Sequence, residues 1–147
     1  MTASFQELSG TARVFNRMLG WLASHGLGPS YLHELIVPGR KSGRLYRTPV
    51  NLIEHQGKPY LVAARGRTQW ARNAEAAGSV VLKRGARSTT YAIRSTALEE
   101  RPVLLKLYLE SYPSQVQQFF AVQAGAPVGD FAAVASEHPV YELIATK

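Results

Sequence analysis

The sequence predicts an α+β fold that is mainly β: a small barrel of about six mostly antiparallel strands, with an N-terminal helix and flanking helices outside it. Three observations lead there. Short β-branched runs separated by glycine-containing turns fill residues 31–95, and consecutive hairpins pair antiparallel. Helical periodicity is concentrated before and after that region. A last apolar run, Pro139–Ala145, returns the chain to strand and lets a sheet close on itself.

The elements follow in order. From Thr11 to His25, Val14, Phe15, Met18, Leu19 and Leu22 recur at helical spacing, and Gly26-Leu27-Gly28-Pro29 ends the helix. Arg13 and Arg17 flank the apolar stripe; packing on a barrel is a commoner use of such a stripe than contact with a membrane surface. Tyr31–Val37 reads as a strand, and Arg44–His55 as one alternating, β-branched run. "EHQGKPY" is a hairpin connection turning at Gly57-Lys58-Pro59, and Tyr60–Ala64 is a short buried strand. In "RGRTQWARNAEAAG", Gly66 breaks the strand, Thr68 is placed to N-cap, and Gln69–Ala77 is helical in composition up to Gly78. Two strands flank Arg84-Gly85-Ala86; in the second, Tyr91, Ile93 and Ser95 face one way and Thr90, Ala92 and Arg94 the other. Glu99, Glu100 and Pro102 open a helix whose stripe is Val103, Leu104, Leu107 and Tyr108. A second helical piece follows Pro113 (Val116, Phe119, Phe120), and a third, Asp130–Glu137, begins with a capping Asp.

The 147 residues suit one domain. At 46% hydrophobic and 18% charged the composition is that of a globular fold, not a disordered chain. Cysteine is absent, so disulfide and thiolate chemistry are excluded. Apolar runs fall far short of the roughly 20 residues that span a bilayer, and no secretion signal opens the chain. A cytoplasmic protein, peripheral to a membrane at most, is expected. The charge is uneven: residues 40–94 hold twelve Lys/Arg against Glu54 and Glu75, a surplus larger than the whole chain's +7. Such a field attracts anions of any class.

Much chemistry is missing. His25, His33, His55 and His138 are isolated, without the spacing of a metal site. There is no G-x-S-x-G elbow, no Walker A loop and no GxGxxG opening a helix. Neither a helix-turn-helix nor an RNP pattern supports nucleic-acid binding. An enzyme can lack an evident acid, base or metal if a cofactor does the chemistry and the protein only holds it.

Two segments can hold something anionic. In "GRKSGR", Gly39 and Gly43 let backbone N–H groups converge. Ser42 adds a hydroxyl, Lys41 a point charge, and Arg40 and Arg44 planar forks for phosphate or carboxylate. "ARGRTQWARN" adds Arg65, Arg67 and Arg72, with Trp70 and Asn73 at helical spacing.

Four segments in order, "GRKSGR…RTPV", "GKPYLVAARG", "QWARNAEAAGSVVLKRG" and "EER", resemble the deazaflavin-dependent nitroreductase and quinone reductase family over residues 37–101. That resemblance implies a single split β-barrel domain over 1–147, with 1–28 an N-terminal helical segment. It implies coenzyme F420, an 8-hydroxy-5-deazaflavin with a phospholactyl-oligoglutamate tail, and hydride transfer to a quinone, activated alkene or nitro compound; FMN is the alternative cofactor, and a non-enzymatic cofactor or ligand carrier the alternative role. Carried over, Arg40, Lys41, Ser42 and Arg44 hold phosphate, Thr48, Pro49 and Val50 lie beside the ring, and Ala63, Ala64 and Arg65 meet its edge. Trp70 and Asn73, with Arg72, close over the tail. Tyr46 stands where the family commonly has arginine. Tyr91, Tyr108, Tyr112 and Tyr141 are the phenols available as proton donors, and none is singled out. Split barrels often dimerise, and exposed β-edges are the hint of a homodimer here.

Overall fold

The computed structural model describes residues 31–146 together with Arg17 and Met18, which are helical. The rest of the helix expected over Thr11–His25 lies outside the described residues.

The described strands are β1 (Leu32–Pro38), β2 (Leu45–Asn51), β3 (Ile53–His55), β4 (Lys58–Val62), β5 (Ser79–Arg84), β6 (Arg87–Ser95) and β7 (Val140–Ala145). They form one sheet in the order β2-β1-β5-β6-β7-β4-β3, every neighbour antiparallel. The run Arg44–His55 is therefore two strands and not one. β2 pairs with β1 and β3 with β4, at opposite edges of the sheet. Only Leu52 separates them, so the sheet must curl until its edges meet at that residue.

That seam is held from both sides. The Leu52 N–H donates to the Tyr31 carbonyl at 3.2 Å, and the Tyr112 hydroxyl donates to the Leu52 carbonyl. The Tyr31 and Tyr112 rings sit 4.7 Å apart. Both backbone groups at the break are thus satisfied, as burial beside a core requires. The β3–β4 turn is tighter than expected: Gln56 and Gly57 are both left-handed (φ 53° and 78°), and Lys58 already pairs with His55, the geometry of a two-residue hairpin.

Alternation divides the core into two layers. Leu35, Val37, Leu61, Ala63, Val80, Leu82, Tyr141 and Leu143 fill the inner face of the curled sheet. A helix, α1 (Gln69–Ala77), packs on them through Ala71 and Ala74, both fully buried; small side chains let it approach closely. Tyr60, Val62 and Val140 point the other way, into a second cluster. That cluster is covered by α2 (Arg101–Ser111), α3 (Pro113–Val116) and α4 (Val128–Ala132). The buried stripe of α2 is Leu104, Leu105, Tyr108 and Leu109, while Val103 is exposed. The third helical piece starts earlier than expected: Pro127, with its φ near −60°, takes the N-cap position, and Asp130 lies inside the first turn. No helix among the described residues is long and apolar enough to cross a membrane.

His138 is buried against the second cluster, stacked on Phe120 at 4.1 Å, with Nδ1 2.7 Å from the Ala64 carbonyl. Burial pushes its pKa below the usual 6.5, so the ring is neutral in the fold. The unfolded chain takes up this proton near pH 6.5 and the folded one only at lower pH. Stability therefore falls as the pH drops below about 6.5 and levels off beneath the folded value. His138→Gln is expected to flatten this acid limb in urea titrations at a series of pH values; an acid limb as steep as that of the wild type would remove His138 as its source.

Candidate active site

The β1–β2 hairpin is closed by short bonds: Gly39 N–H to the Arg44 carbonyl (2.7 Å) and Gly43 N–H to the Gly39 carbonyl (2.9 Å). Gly43 is left-handed (φ 75°), a conformation that favours glycine. Gly39 serves a different need. A Cβ there would stand 2.6 Å from Cε2 of Tyr46, so the tyrosine ring occupies the space a side chain would take.

The hairpin is tied to α1. Oδ1 of the buried Asn73 accepts from the Arg40 backbone N–H (3.0 Å) and from Arg40 Nη1 (2.8 Å), and the same Nη1 donates to Gln69 Oε1 (2.9 Å). Arg40 thus joins two segments more than thirty residues apart.

Between the hairpin, β2 and α1 lies a pocket of about 230 Å³. Of the residues expected at a site, Thr48, Arg65, Trp70 and Asn73 line it. Sequence reasoning did not place Val37, Tyr46, Arg47, Thr68 and Gln69 among the site residues, and they line it too. Alternation contained the signal for one of these: Tyr46 is two residues from Thr48 on the same strand, hence on the same face, and it pairs with Val37 across the hairpin. Lys41, Ser42 and Arg44 sit exposed at the hairpin tip, outside the pocket lining. Pro49 and Val50 are half-buried on β2, and Val50 packs on the inner cluster. Ala63 and Ala64 are buried just past β4, where Ala63 N–H bonds the Pro139 carbonyl (2.8 Å). Arg72 is half-buried on α1 and does not line the pocket.

Trp70 is braced from behind. Its ring meets Tyr141 edge-on at 6.0 Å. Tyr141 is fully buried and donates its hydroxyl to Glu75 Oε2 at 2.5 Å, while Arg67 holds the other oxygen at 2.6 Å. Burial, with the Glu75 carboxylate as a second cause, pushes the Tyr141 pKa far above its ordinary value. Tyr91, Tyr108, Tyr112 and Tyr141 all lie off the pocket wall, and Tyr46 is the tyrosine on it. Burial raises the Tyr112 hydroxyl to about 12.

The basic residues do not form one patch. Arg47, Arg67 and Arg94 are engaged by Glu34, Glu75 and the pair Glu100 and Glu142. Arg84 reaches the Leu32 carbonyl, at the end of β1 away from the hairpin. Among the described residues, Lys41 and Arg44 have no carboxylate at ion-pair distance.

The family model of the F420H(2)-dependent quinone reductases matches residues 23–128. The chain belongs to the F420H(2)-dependent quinone reductase family. It is an F420-dependent oxidoreductase, and coenzyme F420 is the cofactor of its family. Solved structures share its split-barrel fold. The F420-H2 dependent reductase FDR-A is 23% identical, covering 78% of this chain and 94% of that one, with a TM-score of 0.52. A protein described as a domain-swapped dimer is 23% identical over 86% and 91%, with a TM-score of 0.55. An FAD-binding protein from Mesorhizobium loti is 11% identical over 95% and 91%, with a TM-score of 0.51. No curated protein matches the sequence.

The residues present in this quinone reductase family member suit a planar, anionic cofactor. An aromatic wall at Trp70, a guanidinium at Arg65 and an unpartnered buried hydroxyl at Thr68 meet in one pocket. Lys41 and Arg44, with no ion-pair partner among the described residues, stand on the adjoining hairpin. Asn73→Ala removes the acceptor that ties hairpin to helix and is expected to cost about 1–3 kcal/mol, measured by urea denaturation. An unchanged midpoint would show that Arg40 is not the tether.

Proposed function

We propose that the cofactor's ring lies in the pocket between β2 and α1, that its anionic tail leaves over the hairpin tip, and that the acceptor is a quinone or another electron-poor small molecule. One observation carries this reading: the Arg40–Asn73 tether turns two basic segments, distant in sequence, into the two sides of one pocket. At about 230 Å³ the pocket is below the ~300–1,000 Å³ typical of enclosed small-molecule sites. It suits the ring and the groups next to it but not the whole tail, so the rest of the tail runs along the surface, where Lys41, Ser42 and Arg44 are exposed.

When bound, the deazaflavin supplies a hydride, a two-electron equivalent. The chain's own residues hold and shield. Trp70 and Val37 give apolar walls that keep water from one side of the ring. Thr48 and Arg65 offer donors to polar edges, and a cation fixed beside the site stabilises negative charge developing on the acceptor. Lys41 and Arg44 grip the tail by charge. Holding both reactants in register is worth several kcal/mol of barrier.

FMN is the rival cofactor, supported by the likeness to an FAD-binding protein. Fluorescence titrations of the purified protein with each separate the two: F420 binding with quinone-dependent oxidation of its reduced form supports the reading, and tight FMN binding without deazaflavin affinity overturns it. Lys41→Ala is expected to weaken F420 binding about 3- to 10-fold and to lessen its salt dependence, with the urea midpoint unchanged because Lys41 is exposed. The outer edge of β2, where Leu45 and Tyr46 are 63% and 48% exposed, supports a homodimer. Sedimentation equilibrium showing only the 16.1 kDa monomer would exclude it.

A further inference from the structure

Oγ1 of Thr68 is the buried side-chain polar atom left without a hydrogen-bond partner among the described residues. Thr68 is only 6% exposed and lines the pocket. A threonine at this position ordinarily turns its hydroxyl back to a free N–H of the first helical turn. Thr68 occupies the N-cap position of α1 with an extended backbone and makes no such bond. Its backbone is fully used: the N–H goes to the Gly66 carbonyl (2.8 Å), and the carbonyl accepts from Arg72 N–H (3.1 Å). The fold therefore commits the main chain here and leaves the side chain unspent. Native proteins leave few buried polar groups unpaired, so the missing partner is one that arrives with a ligand.

The surroundings say what kind. α1 is nine residues long, and its first turn carries no acidic residue. The positive end of the helix dipole is thus not neutralised by an acidic side chain of that turn. Arg65 lines the same pocket three residues earlier. A helix start, a guanidinium and a spare hydroxyl converging on one space suit an oxygen-rich anion.

We propose that Thr68 and the first turn of α1 form a phosphate subsite on the α1 side of the pocket, separate from the exposed cations of the hairpin. This rests on the cofactor reading above and sharpens it. In a tail that runs from ring to phosphate to glutamates, the phosphodiester is the anion nearest the ring. It meets the buried hydroxyl, and the carboxylates beyond it meet Lys41 and Arg44. Phosphate is a group F420 shares with FMN, and free phosphate carries the same chemistry, so the test must separate these sources.

Thr68→Val keeps the shape and removes the hydroxyl, and Thr68→Ser keeps the hydroxyl. Each is titrated with F420, with the deazaflavin riboside that lacks phosphate and tail, and with FMN. Thr68→Val is expected to bind F420 roughly tenfold more weakly, to bind the riboside as the wild type does, and to melt no lower than the wild type without ligand. Thr68→Ser is expected to restore F420 affinity. A parallel loss for FMN in Thr68→Val also supports a phosphate site; an equal loss for the riboside overturns it, because the hydroxyl would then serve the ring. Unchanged F420 affinity overturns it, as does a lower melting temperature of unliganded Thr68→Val, which would reveal an internal partner. If the wild type binds no deazaflavin, the cofactor reading fails by itself. The subsite is then decided by inorganic phosphate, which must raise the melting temperature of the wild type more than that of Thr68→Val; equal shifts overturn it.

Discussion

The architecture depends on a constraint at a single residue. Leu52 joins two strands that belong to opposite edges of the sheet, and a peptide chain spans no more than about 3.6 Å per residue. The sheet has no choice but to curl. Curling gathers the buried inward side chains of four strands into one narrow layer, which admits a helix only where its own side chains are as small as Ala71 and Ala74. It also leaves β2 without a strand partner on its outer side, and the pocket lies beside that strand. The hydroxyl of Tyr112, delivered from the end of α2, secures the junction, so the helical layer on the far side of the barrel helps set the shape of the pocket side.

Charge is arranged on that scaffold by use. Guanidinium groups with a nearby carboxylate brace the structure: Arg67 through Glu75 and Tyr141 supports the wall that carries Trp70, and Arg47 satisfies the buried Glu34. Arg40 is spent on Asn73 and Gln69. Lys41 and Arg44, exposed at the hairpin tip, have no carboxylate at ion-pair distance among the described residues. The basic surplus of the middle of the chain thus contains two populations, one holding the protein together and one facing outward.

The fold was legible where backbone chemistry dictates it. Gly43, Gly57, Gly78 and Gly85 all take positive φ and mark turns or a helix end that composition alone announces. The break at Leu52 was not legible, because a leucine between Asn51 and Ile53 reads as more strand; only the pairing partners of β2 and β3 reveal it. The site divides likewise. The hairpin motif and Trp70 stand out as residue types, whereas the contact of Arg40 with Asn73 is created by folding and has no local signature. Thr68 was recognised as a helix-start residue, but that its hydroxyl makes no capping bond is a property of three-dimensional orientation that no sequence pattern encodes.

Gly39 and Tyr46 form a pair whose history is ordered by sterics. The glycine is not needed for its backbone angles; it is needed because the tyrosine ring lies where its Cβ would be. While Tyr46 is present, position 39 is closed to every other amino acid unless the ring moves. A lineage in which position 46 changes first regains freedom at 39, whereas one in which 39 changes first must pass through a displaced ring and a disturbed pocket wall. The two positions are epistatic, and drift at them has an easy direction and a hard one.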